Sequence, residues 1–221
     1  MKAFARLDHL LCDVPDIEEA FTLFHDQLGF PVAWPIGRYW PQGRTCGIAL
    51  GGANLEFIQN DSDPISEAVI RCVAFEPTSF VREAFEREGI PYEVFEKKEA
   101  DPALLRLRGM RADDGEQLLC INFLPLDRAA LPFPFFACDY EPGVKARLSF
   151  PAAIMPDGNE LQEVVIGVPD PAAMTSQLER LGIDGGVSIT AQKHDTPEVT
   201  KLVMKYGPLD LGGWAARFRF I

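Results

Sequence analysis

The stretch LDHLLCDVPD at residues 7–16 occurs again, in a changed form, as LQEVVIGVPD at residues 161–170. In both copies an apolar run typical of a strand meets a proline and an aspartate, and aspartate is a preferred helix N-cap. An apolar stripe at helical spacing follows each copy and ends at a glycine, Gly29 or Gly182. The repeat therefore predicts that the chain is built from duplicated units.

Three strand-like runs follow each of these helices, so the predicted unit is a strand, a helix and three strands. A weaker copy lies between the two clear ones. A segment rich in proline and phenylalanine precedes the last copy, and we interpret it as an ordered crossover because its phenylalanines favour burial. The expected division of one compact assembly is 1–60 for the first unit, 67–124 for the second, 125–160 for the crossover and 161–221 for the third. The strands expected after the three helices are 30–34, 45–50 and 54–59, then 92–95, 104–107 and 117–123, then 187–191, 201–206 and 214–220.

The predicted fold class is α+β, with repeated βαβββ units that form curved mixed sheets. The tandem units, the opening Asp8-His9, the LGF at 28–30 and the GGANLEF at 51–57 resemble the vicinal-oxygen-chelate superfamily of glyoxalases, bleomycin-resistance proteins and dioxygenases. More narrowly, the chain is similar to glyoxalase-like domain proteins that place a Pro-Phe-Phe segment after the second unit. Those proteins often carry Gly-Gly-Arg-His after the second strand, where this chain has GRYW at 37–40 and no histidine.

His9 and Glu56 are the candidate metal ligands of the first unit. Side chains alternate along a strand, so if Leu10 and Cys12 pack under the helix, His9 projects from the opposite face. The same alternation places Glu56 on the helix-free face of its own strand. In the superfamily that face is the inside of a cup and these two positions bind metal, so the resemblance implies the same role here.

The repeat carries these two positions to the other units. By spacing from each unit's proline and glycine, the equivalent positions are His9, Arg71 and Glu163 in the first strands and Glu56, Leu119 and Arg217 in the last strands. If units one and two form the cup, two ligands face a cation and a leucine. If units one and three form it, Glu163 joins His9 and Glu56, which gives three ligands and an open position, as a catalytic metal requires. The sequence leaves both pairings open.

The resemblance implies two classes of function. In the first, His9, Glu56 and Glu163 hold a divalent ion (Zn, Ni, Mn or Fe) that binds a small molecule with adjacent oxygens. Glu56 or Glu163 then transfers protons in a lyase, isomerase or dioxygenase reaction. In the second, the cup holds no metal and sequesters a small molecule, as bleomycin-resistance proteins do. The candidate substrate-binding residues are Arg71, Arg217, Tyr39 and Trp40.

Charge and composition restrict the partners. The 221 residues include 21 basic and 33 acidic side chains, and a net charge of −12 repels phosphate backbones, so no nucleic acid is expected. No apolar run is long enough to span a bilayer, and the first residues lack a signal-peptide core, so we expect a cytoplasmic protein without a membrane partner. The five cysteines form no C-x-x-C pair and are expected to be thiols. Because superfamily members often dimerise, the resemblance also implies a homodimer.

Overall fold

A strand followed by a capped helix begins the fold, as the opening stretch predicts. The computed structural model describes residues 1–40, 42–107, 110–111, 115–126 and 132–207. Its helices are α1 (Ile17–Phe21), which continues as a π-helical turn (Thr22–Gln27), α2 (Val81–Arg87), α3 (Pro102–Leu107), α4 (Pro142–Leu148) and α5 (Pro171–Leu181). Its strands are β1 (Phe4–Asp13), β2 (Val32–Trp40), β3 (Gly43–Ala49), β4 (Asn54–Asn60), β5 (Val69–Pro77), β6 (Tyr92–Glu99), β7 (Gln117–Pro125), β8 (Phe135–Tyr140), β9 (Leu161–Val168), β10 (Ser188–Lys193) and β11 (Glu198–Met204).

The two helices that follow the repeated phrase begin and end as the sequence predicts. Oδ1 of Asp16 accepts the Glu19 N–H at 3.0 Å, and Oδ1 of Asp170 accepts the Ala173 N–H at 3.0 Å. Gly29 and Gly182 follow the helices with φ angles of +76° and +73°, a region that glycine adopts without steric cost. These caps are local properties of the chain, which explains why the pattern located them.

One eight-stranded sheet contains two halves with the same arrangement. The strand order is β2-β3-β4-β1-β5-β8-β7-β6. β1 is parallel to β4, β5 is parallel to β8, and β1 and β5 pair antiparallel at the centre. The first strand of each half therefore lies beside the last strand of that half, and the β1–β5 pair joins the two halves.

The structure corrects two expectations about the second half. Residues 104–107, expected to be a strand, lie in α3, and β8 lies in the segment 125–160 that was expected to be a crossover. Run 117–123 is consequently part of the third strand of this half and not of the fourth. The fourth strand was missed because Phe135 and Phe136 are both apolar and prolines precede them, so this short run has no alternating pattern.

The repeated phrase at residues 161–170 opens a separate three-stranded sheet of order β10-β9-β11. The parallel partner of β9 is β10, the strand directly after α5, whereas the parallel partner of β1 is the last strand of its half. The two copies therefore share a strand, a cap and a helix but differ in the neighbours of the strand. The expected last strand at 214–220 lies outside the described residues.

The main apolar core lies on the helix side of the eight-stranded sheet. Phe4 stacks on Phe75 with ring centroids 4.4 Å apart, and Phe85 of α2 and Phe135 of β8 meet Phe4 edge-on. Buried residues of β9 belong to the same core, which joins the smaller sheet to the larger one. In the described part of the chain, no helix is long and apolar enough to cross a membrane.

Candidate functional site

The other face of the eight-stranded sheet curls around a cavity of about 130 Å³. Strands from both halves line it, and the end of α4 covers one side, where the Leu148 carbonyl accepts a hydrogen bond of 2.9 Å from Nδ2 of Asn54. The lining residues are His9, Trp34, Tyr39, Thr45, Glu56, Lys97, Cys120, Asn122, Phe136, Cys138, Tyr140 and Leu148. The first unit therefore forms the cup together with the second half of the sheet, which includes β8 from the segment 125–160, and His9 and Glu56 both face it, as the alternation predicts.

His9 is held between two carboxylates. Its Nδ1 lies 2.6 Å from Oδ2 of Asp8, and its Nε2 lies 3.5 Å from Oε2 of Glu56. Because an ionised carboxylate only accepts hydrogen bonds, Nδ1 carries the hydrogen and Nε2 is the atom presented to the cavity. The His9 ring meets the Phe136 ring in a T-shaped arrangement, with the two ring centroids 5.6 Å apart.

Asp8 reaches its neighbour His9 because β1 is irregular at this point. The pairing of β1 with β5 shifts register between Leu7 and His9, so adjacent side chains no longer point to strictly opposite faces. Residues 7–10 are all buried as a result. Simple alternation therefore missed Asp8 as a site residue, and the Asp-His pair in the sequence was its only signal.

The two carboxylates favour the charged form of His9. Burial disfavours the imidazolium, but the hydrogen bond and charge of Asp8 and the charge of Glu56 outweigh it, so the pKa of His9 is raised. Asp8 itself lies 3.8 Å from the Arg6 guanidinium, which in turn donates a 2.9 Å hydrogen bond to Glu76. Glu76, Arg6 and Asp8 thus form a chain of alternating charges, which holds the imidazole through its Nδ1 atom.

Glu163 is not brought to His9 and Glu56. It lies on β9 of the smaller sheet, where Oε1 accepts the Thr190 hydroxyl at 2.8 Å. The equivalence with His9 was based on the repeated phrase, but β9 does not belong to the sheet that forms the cavity. The pairing of units one and three in a single cup is therefore not what the structure shows.

The other predicted site residues have different positions. Arg71 pairs with Asp13 at 2.5 Å beside another cavity, and Leu119 is buried with Leu105 and Val144. Tyr39 lines the site and donates its hydroxyl to the Pro35 carbonyl at 3.0 Å. The side chain of Trp40 and the whole of Arg217 lie outside the described residues.

The second half contributes side chains that the sequence analysis missed, namely Lys97, Cys120, Asn122, Phe136, Cys138 and Tyr140. Contact with Cys120, then burial, raises the pKa of the Cys138 thiol, and burial raises the pKa of the Tyr140 hydroxyl. Both groups therefore remain protonated near neutral pH. A correct strand count in the second half would have placed β8, and with it these residues, in the cup.

The donors around His9 do not match the needs of a resident catalytic metal. Such a site uses three protein ligands and keeps one position open. Nε2 of His9 and the Glu56 carboxylate supply two, and in the part of the chain that is described no group of three histidine, cysteine or carboxylate side chains is arranged to hold an ion. Cys120 and Cys138 line the same cavity from β7 and β8, but they form no such ligand group with His9 and Glu56 in the part of the chain that is described.

The sequence of the chain matches one known protein family, and its fold matches several solved structures. A family model described as a glyoxalase-like domain matches residues 7–182. No curated protein matches the chain. Similar solved structures include a hypothetical protein from Staphylococcus aureus, at 8% identity and a TM-score of 0.60, covering 90% of each chain.

Two dioxygenase structures are also similar in fold. A variant of homoprotocatechuate 2,3-dioxygenase from B. fuscum shares 13% identity at a TM-score of 0.56, covering 92% of this chain and 57% of that one. The same enzyme from Arthrobacter globiformis shares 17% at 0.54, covering 92% and 65%. The chain thus spans less than two thirds of the length of these dioxygenases, and at such identities the likeness shows the fold alone.

Proposed function

Because the chain belongs to the glyoxalase-like domain family, within the vicinal-oxygen-chelate superfamily, we propose that its cavity binds a small molecule and that His9 and Glu56 move a proton of that molecule. The observation that supports this function is the arrangement of His9 between Asp8 and Glu56, with Nε2 directed to the cavity. No resident metal is part of the proposal, because the described donors do not complete a site for one.

Trp34 and Phe136 give the cavity an aromatic lining, which suits a flat or short apolar ligand. Nε1 of Trp34 donates a 3.2 Å hydrogen bond to the Thr45 hydroxyl, which fixes the indole beside the cavity. A Cβ on Gly47 would lie 2.3 Å from the indole, so the absence of a side chain there lets Trp34 lie against β3. Phe136 adds a second apolar ring to the lining of the cavity. Ligand sites are typically lined in this way, with a few convergent polar groups.

The polar groups act as an acid and base pair. The raised pKa keeps more of His9 in the imidazolium form near neutral pH than an exposed histidine has. When an oxygen atom of the ligand replaces Glu56 as the partner of Nε2, the imidazolium donates its proton to that oxygen. Glu56, with 19% of its side chain exposed, then accepts a proton from the adjacent carbon or hydroxyl.

Solvent exchange of a ligand proton tests this function without knowledge of the natural substrate. Hydroxyacetone and 2-oxobutanoate, which carry adjacent oxygens and an acidic C–H, are incubated with the full chain in D₂O and followed by proton NMR. We expect exchange above the buffer rate, and a decrease of about 100-fold or more in His9→Gln and Glu56→Gln, the usual size of a general acid–base contribution. Glu163→Gln is the matched control and should exchange like the wild type.

Metal content is measured on the same protein, purified without chelators. Exchange that persists after dialysis against EDTA supports the proposal. One equivalent of a divalent ion that is retained by the wild type and lost in His9→Gln would overturn the metal-free mechanism. Exchange at the buffer rate with both probes, together with no thermal stabilisation by either, would overturn the function itself.

A further inference from the structure

From the opposite wall of the same cavity we infer that the ligand is a small monocarboxylate and that Lys97 binds its carboxylate. This inference rests on the proposed function, whose site it shares, and it names the substrate class and a residue that determines specificity. The sequence analysis assigned no role to Lys97.

Lys97 of β6 is one of the side chains that line the cavity. It pairs with Cys120 of β7, another residue that lines the cavity, and its side chain is half-buried. Its neighbours Glu96 and Lys98 are exposed, and they form an ion pair of 3.2 Å with each other. Lys98 therefore faces solvent and pairs with Glu96, whereas Lys97 faces the site.

The ammonium of Lys97 has no carboxylate partner among the described residues, although it faces the cavity. Other basic side chains around the sheet do have partners: Arg6 and Lys145 bind Glu76, and Arg71 binds Asp13. A half-buried ammonium without a counter-ion loses solvation and gains nothing in return. An anionic ligand supplies the counter-ion that the protein does not provide.

The charge of the rest of the protein makes the Lys97 ammonium a selective site for an anionic ligand. The protein has a net charge of −12, so its surface repels anions in general. Arg147, the last basic residue of α4, lines a small adjoining cavity of about 60 Å³ that shares Trp34, Tyr39 and Leu148 with the site. A second basic side chain therefore lies beside the site in an otherwise acidic protein.

The cavity favours a carboxylate over a doubly charged head group. Lys97 is its single cationic lining residue among those described, apart from the titrating His9, and Glu56 lies in the same space. One negative charge is therefore matched, whereas a second would face the Glu56 carboxylate. The amide of Asn122, two residues beyond Cys120 on β7, lies in the same wall and can donate to the second carboxylate oxygen. The carboxylate and the reacting atom are thereby held by different halves of the sheet.

Three probes with the same ring test the inference on the full chain: benzoate, benzamide and phenylphosphonate. Dissociation constants are measured by NMR titration for the wild type, Lys97→Met and the matched control Lys98→Met. We expect the wild type to bind benzoate at least tenfold more tightly than benzamide and more tightly than phenylphosphonate. Lys97→Met should lose at least tenfold for benzoate and keep its affinity for benzamide, which also shows that the variant is folded. Lys98→Met should match the wild type.

Other outcomes overturn the inference. They are equal losses for benzoate and benzamide in Lys97→Met, unchanged benzoate binding in that variant, tighter binding of phenylphosphonate than of benzoate, or no binding of benzoate to the wild type at millimolar concentration. The proposed function is judged separately, because hydroxyacetone is neutral and its exchange does not require Lys97. If hydroxyacetone exchanges while Lys97→Met has no effect on benzoate, the function stands and the substrate class is wrong.

Discussion

Asp8 and His9 are neighbours in β1, yet their side chains meet, with Nδ1 of His9 2.6 Å from Oδ2 of Asp8. In a regular strand these side chains would point to opposite faces, and the register shift between Leu7 and His9 brings them together. Each is at most 4% exposed, so their interaction is little screened by water. Burial lowers the pKa of His9, and the hydrogen bond and charge of the residue next to it, with the charge of Glu56, raise that pKa above its usual value.

Replacing Asp8 by Asn should lower the pKa of His9. The substitution removes the charge that, with the hydrogen bond, opposes the effect of burial. Proton NMR titration of the His9 ring in Asp8→Asn and in the wild type measures the shift. Glu163→Gln is the control, since its carboxylate bonds to Thr190 in the other sheet. An unchanged His9 pKa in Asp8→Asn would show that Asp8 does not control the imidazole.

The same ionisation should make stability depend on pH. The folded pKa of His9 is raised above its unfolded value near 6.5, so protonation favours the folded state. The stabilisation is fully present below about pH 6.5 and is lost as the pH rises through the folded pKa. Urea unfolding of the wild type and His9→Gln across this range measures it as the difference between the two. A difference that grows with rising pH would contradict the sign.

Gly47→Ala should displace Trp34. The new Cβ would lie 2.3 Å from the indole ring, so the ring must move, at a cost of about 1–3 kcal/mol in the free energy of unfolding. Tryptophan fluorescence and benzamide affinity should both change. The control is Gly143→Ala in α4, where an added Cβ meets nothing within 4 Å. If Gly47→Ala binds benzamide like the wild type, the indole does not form the wall of the site.

Asp16→Ala and Asp170→Ala should each cost about 1 kcal/mol of stability, because each removes the side-chain cap of a helix N-terminus. The two capped helices follow strands of different sheets, and the caps share no partner, so the double variant should lose the sum of the two. Urea unfolding of the four proteins tests this. A double variant much less stable than the sum would mean that the two helices are energetically coupled.

The sequence predicted what local chemistry and periodicity determine. The α+β class, the capped helices and the shared inner face of His9 and Glu56 followed from patterns within one unit. Contacts between residues far apart in the chain were harder to predict, because spacing within the chain does not say which strands become neighbours. Arg71 was placed by its distance from a proline, but it pairs with Asp13 at the far end of β1.

Glu163 shows the same limit more clearly. The phrase around it copies the phrase around His9, and the helix after it is capped in the same way. Its strand nevertheless has β10 as its parallel neighbour and lies in another sheet. Glu163 has the sequence pattern but not the position, whereas Cys138 and Tyr140 have the position but not the pattern. They lie on β8, a strand of the eight-stranded sheet whose sequence shows no alternation by which it could be predicted.

The pairing of β1 with β5 at the centre of the large sheet has a consequence for how such a protein can diverge. His9 and Glu56 lie on one side of this pairing, and Lys97 and Asn122 lie on the other. Under the proposed function, the residues that transfer protons and those that select the ligand are consequently encoded in separate stretches of the gene. We therefore expect substitutions in the strands after α2 to change which ligand is bound, while the pair His9 and Glu56, encoded before α2, is retained.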